Sequence, residues 1–141
     1  MLINRASDQE LVQWRPGVLT RMLAGGLLGS ERLCLLEQWH EPGRGAPTHR
    51  HANAEELLLV LEGTSEVWVD EERARIEAGS TVIIPRNAPH GFRNVDAEPL
   101  HILAVLSEAE PLVEYLEEEG TVLAIGSRGD ARRDPHRALR E

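Results

Sequence analysis

Lysine is missing altogether: every one of the 15 basic residues is an arginine. That removes Schiff-base catalysis and a phosphate-loop lysine from consideration; the gap itself reads as a codon-composition effect. Cysteine occurs once, at Cys34, so no intrachain disulfide can form. A reducing cytoplasm is the expected setting. Cys34 lies in the apolar run Leu33-Cys34-Leu35-Leu36, where a buried, inert thiol is expected rather than a nucleophile. Aromatic residues make up only 4% of the chain, and Trp14, Trp39 and Trp68 are few enough to be ordinary packing. Positive charge is also scarce. The formal net charge is −9, which argues against a nucleic-acid partner, because phosphate binding needs a basic surface. No stretch approaches the ~20 apolar residues of a membrane helix, so no membrane partner is expected. The start, Met1 to Arg5, lacks a charged leader with a long apolar core, so export is not expected either.

What is present fits one folded domain. The chain has 141 residues, 41% of them hydrophobic, enough for one real core without staples. Strand-like runs follow one another closely, each closed by Gly, Pro or Asn. They are Val18–Leu23, Arg32–His40, Leu57–Leu61, Glu66–Val69, Ala74–Glu77, Thr81–Ile84, Gly91–Asn94 and His101–Leu106. Gly25-Gly26, Glu41-Pro42-Gly43, Asp70-Glu71-Glu72 and Ala78-Gly79 read as turns between them. Many short strands at this spacing mean an all-β sandwich or barrel. The unbroken apolar run from Glu56 to Leu61 suits a strand covered on both faces. Residues 1–13 read as a polar N-terminal arm, with Ser7 to Glu10 turning. Residues 14–125 form the domain proper, and 126–141 a polar tail that lies on the surface or moves. The tail contains Arg128-Gly129-Asp130, a cell-adhesion tripeptide elsewhere; chance is the better account of it here. Pro111–Glu119 reads as a short C-terminal helix, with Leu112, Val113 and Leu116 on one face, Ser107 or Glu110 as cap and Gly120 as its end.

The residues that carry chemistry are His49, His51, Glu56 and His90. On a strand, residues two apart share a face, so His49 and His51 project together. A turn at Ala52-Asn53-Ala54 can reverse the chain, so that Glu56 opens the next strand and reaches back. His90, from a later strand, closes the set. Three neutral imidazoles and one carboxylate make a shell for one divalent transition-metal ion, Fe, Mn, Ni, Co or Zn, with net charge about +1. Four protein ligands in an octahedron leave two open positions, the mark of a working rather than a sealed site. Glu55 is the rival carboxylate.

The flanking residues resemble the two motifs of the cupin superfamily. The first runs Gly43, five residues, His49, one, His51, four, Glu56, six, Gly63; the second runs Gly79, five residues, Pro85, one, Asn87, two, His90, three, Asn94. Asn87 stands where the second motif usually has glycine; asparagine tolerates a left-handed backbone, so the turn should survive. The 15 residues between Gly63 and Gly79 resemble the spacer of compact single-domain microbial members. The six-residue gap to Gly63 favours Glu56 over Glu55. The resemblance implies a small jelly-roll β-barrel over about residues 14–106, with metal ligands at His49, His51, Glu56 and His90. It also makes pairing into a homodimer the expectation, since edge strands and the arm need covering.

Pocket-lining candidates are Gln38 and His40, which share a face of one strand, Phe92, two residues from His90, and His101 from the last strand. Arg86 and Arg93 flank His90 and could pair with an anionic ligand, although surface salt bridges would use them equally well. Tyr115, on the presumed helix, should lie outside the barrel. The partner implied is a small-molecule substrate or ligand. Three readings follow. The first is an oxidoreductase of the dioxygenase type, with Glu56 as a catalytic base. Its enzymatic alternative is a metal-dependent isomerase, lyase or decarboxylase. The second is a non-catalytic barrel that binds a small ligand, and the third a dimeric barrel with a structural ion.

Overall fold

The computed structural model describes residues 1–116 and 122–125. Its strands are β1 (Val12–Arg15), β2 (Val18–Ala24), β3 (Cys34–His40), β4 (Gly45–Arg50), β5 (Glu56–Glu62), β6 (Thr64–Val69), β7 (Glu72–Glu77), β8 (Thr81–Ile84), β9 (His90–Asn94), β10 (Leu100–Leu106), β11 (Leu112–Tyr115) and β12 (Val122–Ala124). Two short 3-10 turns, Ala6–Asp8 and Gly26–Leu28, are the only helical segments among the described residues. None is long and apolar enough to cross a membrane.

The strands form two six-stranded antiparallel sheets, ordered β1-β2-β3-β10-β5-β8 and β12-β11-β4-β9-β6-β7. After β3 the chain keeps changing sheet, so that β4 and β5, or β9 and β10, lie in different layers although adjacent in sequence. Alternation within each strand decides what faces inward. In β3, Cys34, Leu36, Gln38 and His40 are buried while their neighbours are only partly covered. Leu58 and Val60 of β5, Ile102 and Ala104 of β10, Val67 of β6, Phe92 of β9 and Val113 of β11 join one core between the sheets. Each fully buried Leu, Ile or Phe there contributes about 1.5–3 kcal/mol.

All eight strands read from the sequence are present, Thr81–Ile84 with the same ends and the other seven with ends shifted by one or two residues. β1, β4, β11 and β12 were not read as strands. β1 takes in Val12 and Gln13 of the expected arm.

The expected C-terminal helix is not formed. Leu112–Tyr115 is instead a strand paired with β12 and with β4. Pro111 and Val113 are buried with partly covered neighbours, a period of two rather than 3.6. The free edge of β4 supplies a hydrogen-bonding partner that local helix propensity cannot match, and Arg50 pairs with Glu114 across it at 2.8 Å. The rest of that expected helix, residues 117–119, and the tail with Arg128-Gly129-Asp130 lie outside the described residues.

Candidate metal centre

The topology concentrates chemistry at one end of the core. His49 of β4 stands directly across from His90 of β9, and Tyr115 of β11 is its neighbour on the other side. His51 lies just past the end of β4, where the chain turns toward the opposite sheet and enters β5 at Glu56. The loop before β9 is tied to that turn, the Asn87 N–H donating to the His51 carbonyl at 2.8 Å. Asn87 has φ of +66°, the left-handed conformation expected of it. β4 and β9 also approach closely: a Cβ on Gly45 would run into the Phe92 carbonyl.

All four candidate ligands are buried. One potential ligand atom from each of His49, His51, Glu56 and His90 falls within 4.8 Å of every other. Glu56 Oε2 is 3.1 Å from His51 Nε2 and 2.9 Å from His90 Nε2. The three Nδ1 atoms are all committed to backbone. Nδ1 of His49 donates to the Pro47 carbonyl at 2.7 Å, that of His51 to Leu112 at 2.7 Å, and that of His90 to Ala88 at 2.8 Å. An imidazole whose Nδ1 carries the proton has a lone pair at Nε2. Facing the Glu56 carboxylate, such a nitrogen needs a positive charge between the two, either a proton, as in the 2.9 Å hydrogen bond from His90 Nε2 to Glu56 Oε2, or a metal ion. The donor set therefore fits a divalent cation, and carbonyls that fix the tautomer and ring orientation are what metal-binding histidines use.

Ionisation follows from the same crowding. Burial, reinforced by His90 and His51, pulls His49 down to about 3. Burial alone would raise Glu56, but contact with His51 and His90 outweighs it and holds the carboxyl below its usual range. His90 is pulled down by burial, yet Glu56 beside it leaves it raised overall. Glu55 faces away: it is exposed, and its backbone N–H donates to Ser107 Oγ at 2.9 Å.

Beside the cluster is a cavity of about 40 Å³, lined by Gln38, His40 and Phe92 among the expected residues. His40 Nε2 lies 3.0 Å from Gln38 Oε1, and its ring meets Phe92 edge-on at 4.8 Å. His101 does not line this cavity, contrary to expectation. Regular alternation with buried Leu100 and Ile102 puts it on the outer face of its sheet, where it stacks on Trp39 at 4.8 Å and reaches Glu37 at 2.9 Å. Tyr115 corrects the opposite way. As a strand residue it lines the cavity, with its ring 5.7 Å from that of His49. Arg15 and Trp14 also line it and were missed. The period-two spacing of Pro111, Val113 and Tyr115 was the signal that could have placed Tyr115; nothing local marks Arg15.

A family model described as "Cupin domain" matches residues 39–106. The chain belongs to the cupin superfamily. It is 32% identical over 103 residues to Auxin-binding protein 1 of Arabidopsis thaliana, covering 66% of this chain and 52% of that protein. The chain spans about half the length of the curated relatives it matches. Among solved structures it resembles the polyketide cyclase RemF from Streptomyces resistomycificus, with a TM-score of 0.68, 23% identity, and coverage of 92% of this chain and 89% of that one. It also resembles oxalate decarboxylase from Bacillus subtilis, with a TM-score of 0.71, 21% identity, and coverage of 79% of this chain and 31% of that one. At these identities the structural likeness shows the fold. This cupin thus carries a cluster of three histidines and a glutamate that could hold a metal ion.

Proposed function

We propose that His49, His51, Glu56 and His90 hold one divalent transition-metal ion, and that the protein is an enzyme acting on a small molecule in the adjoining cavity. The observation that carries this is the commitment of all three Nδ1 atoms to backbone carbonyls, which leaves three Nε2 lone pairs and one carboxylate converging. When bound, the ion supplies redox or Lewis-acid chemistry. The leading reaction is oxidation of the dioxygenase type, because an N3O shell with net charge about +1 suits a redox-active ion such as Fe or Mn. Glu56, buried and ionised, is the group placed to take a substrate proton. Phe92, Leu106 and Val113 give the cavity an apolar wall.

A non-oxidative reading, as isomerase, lyase or decarboxylase, is favoured by the polar side chains His40, Gln38 and Tyr115 in the same cavity, which could move protons without an oxidant. The matches to a polyketide cyclase and an oxalate decarboxylase support it. The match to Auxin-binding protein 1 supports a ligand-binding role without turnover. An oxygen electrode separates the three. Protein reconstituted anaerobically with each candidate ion is challenged with small carboxylic and enolisable acids. Ion-dependent oxygen uptake that Glu56→Gln abolishes supports the dioxygenase reading. Product without oxygen uptake moves the assignment to the non-oxidative branch, and binding without product moves it to the ligand-binding one.

We also propose that a second copy of this chain covers the outer face of the first sheet. Ile83, Leu57, Val105 and Leu35 stand side by side across four strands there, with Ile83 66% exposed. An aliphatic row of this kind on a sheet face marks an interaction surface. Ile83→Glu should convert a dimer to a monomer in light scattering; a monomeric wild type would contradict the pairing. Buried Cys34 suits a reducing cytoplasm as the setting.

A further inference from the structure

The cavity has a second charged end that the metal cluster does not use. Arg15 ends β1 on one sheet, and Tyr115 belongs to β11 on the other. The Arg15 Nη2 donates to Tyr115 Oη at 2.9 Å, and the guanidinium lies 5.3 Å from the centre of that ring. The pair bridges the two sheets, with the Tyr115 ring centre 5.7 Å from that of His49.

Arg15 has no carboxylate partner among the described residues, whereas Arg21, Arg50 and Arg73 each pair with a glutamate. Among the described arginines without a carboxylate partner, Arg15 is the one that lines the inner cavity, where an uncompensated guanidinium suits an anion. Its planar fork matches a carboxylate in two parallel hydrogen bonds. A groove of about 240 Å³ leads outward from it, lined also by Arg44 and Arg93, neither of which pairs with a carboxylate among the described residues. Three arginines along one approach raise the local concentration of a negatively charged ligand.

An independent observation fixes the other half of the ligand. His40 lines the same cavity and is 1% exposed. Its Nε2–H donates to Gln38 Oε1 at 3.0 Å, which leaves a lone pair on Nδ1, and that atom is buried with no hydrogen-bond partner. A buried acceptor without a donor is costly; a hydroxyl on the ligand would satisfy it. The inner cavity of about 40 Å³ holds only a few heavy atoms, since one water needs roughly 10–15 Å³ by this measure.

We propose that Arg15, set by Tyr115, binds the carboxylate of a short hydroxy acid whose hydroxyl donates to His40, and that this defines the substrate class of the cavity. The assignment rests on the reading of the cavity as a small-molecule site and names what enters it. Any longer substrate presents such a group and leaves its remainder in the arginine-lined groove.

The test is an NMR titration of the full chain, zinc-loaded and chelator-stripped, with 13C-labelled glycolate and with glycolamide as its uncharged counterpart. Zinc content and melting temperature are measured on the same samples. Glycolate should bind both forms, and glycolamide at least tenfold more weakly. Arg15→Gln should weaken glycolate at least tenfold in both forms without changing zinc content, and Arg15→Lys should recover part of the loss. His40→Phe should weaken glycolate more than it weakens acetate. Equal binding of glycolate and glycolamide by the wild type, equal binding by Arg15→Gln, or no glycolate binding at all would overturn the proposal. Failure to load zinc alongside Arg15-dependent glycolate binding would overturn only the metal reading.

Discussion

The two ends of the cavity are built on different principles. At the metal end, each histidine is locked through Nδ1 to a backbone carbonyl, so ring orientation is dictated by the sheets. At the arginine end, the contacts are between side chains, Arg15 with Tyr115 and His40 with Gln38, and one buried nitrogen lacks a partner. Backbone anchoring gives a rigid donor set whose geometry does not depend on the ligand. Side-chain anchoring leaves groups that a ligand can recruit at little cost to the fold. As proposed, one end would hold an ion, and the other would choose what lies beside it.

The sharpest way to break this contrast is to alter the metal end alone. Glu56→Gln keeps shape but removes the only carboxylate in the cluster, and should weaken divalent-ion affinity at least a hundredfold, about 2.7 kcal/mol, in a competitive chelator titration. Affinity unchanged by the variant would mean that the histidines bind without Glu56. Rigidity at that end can be tested through the backbone. Gly45→Ala forces a Cβ into the Phe92 carbonyl and should destabilise the fold by about 1–3 kcal/mol, read as a lower urea midpoint.

Protonation probes both ends at once. Burial, with Arg15 nearby, pulls His40 down to about 3, and burial pulls His49 to about 3 as well. Each is therefore neutral when folded and gains a proton on unfolding below its ordinary value of 6.5. For these two groups the unfolded state binds more protons in that window, so their share of stability is full above about pH 6.5 and falls as pH drops toward 3. Each group contributes a slope of at most ~1.4 kcal/mol per pH unit. In metal-free protein, His40→Asn should flatten the fall in urea midpoint between pH 6.5 and 5 without abolishing it, because His49 still titrates. An unchanged slope would place His40 in a wetter site than its burial indicates. The smallest effect belongs to Glu55→Gln, one residue from the cluster but facing solvent. Metal content should not change, and stability should shift by no more than about 0.5 kcal/mol.

Much of this was legible in the chain, and the illegible part has a common cause. His49, His51, Glu56 and His90 could be picked out because strand alternation and short turns bring them together over local stretches, and because two motifs frame them. The strands with alternating or continuous apolar runs were readable for the same reason. β4 was not, because Gly45-Ala46-Pro47-Thr48 carries no such pattern and is held by pairing with β9. Leu112–Tyr115 was read as a helix because its apolar residues fit both periods over so short a span; the edge of β4, distant in sequence, decides between them. Tyr115 and Arg15 were hidden by the same long-range contacts, since their hydrogen bond joins residues 100 positions apart. His101 was misassigned because which face of β10 looks inward is set by pairing with β3 and β5.

The central claim is one ion held by the four converging side chains. It is tested most directly by elemental analysis of untagged protein after dialysis, with wild type and His51→Ala measured side by side. The account predicts close to one transition-metal ion per chain in the wild type and almost none in the variant, with both proteins folded. No bound ion in the wild type, even after anaerobic reconstitution with Fe, Mn, Ni, Co and Zn in turn, would contradict it.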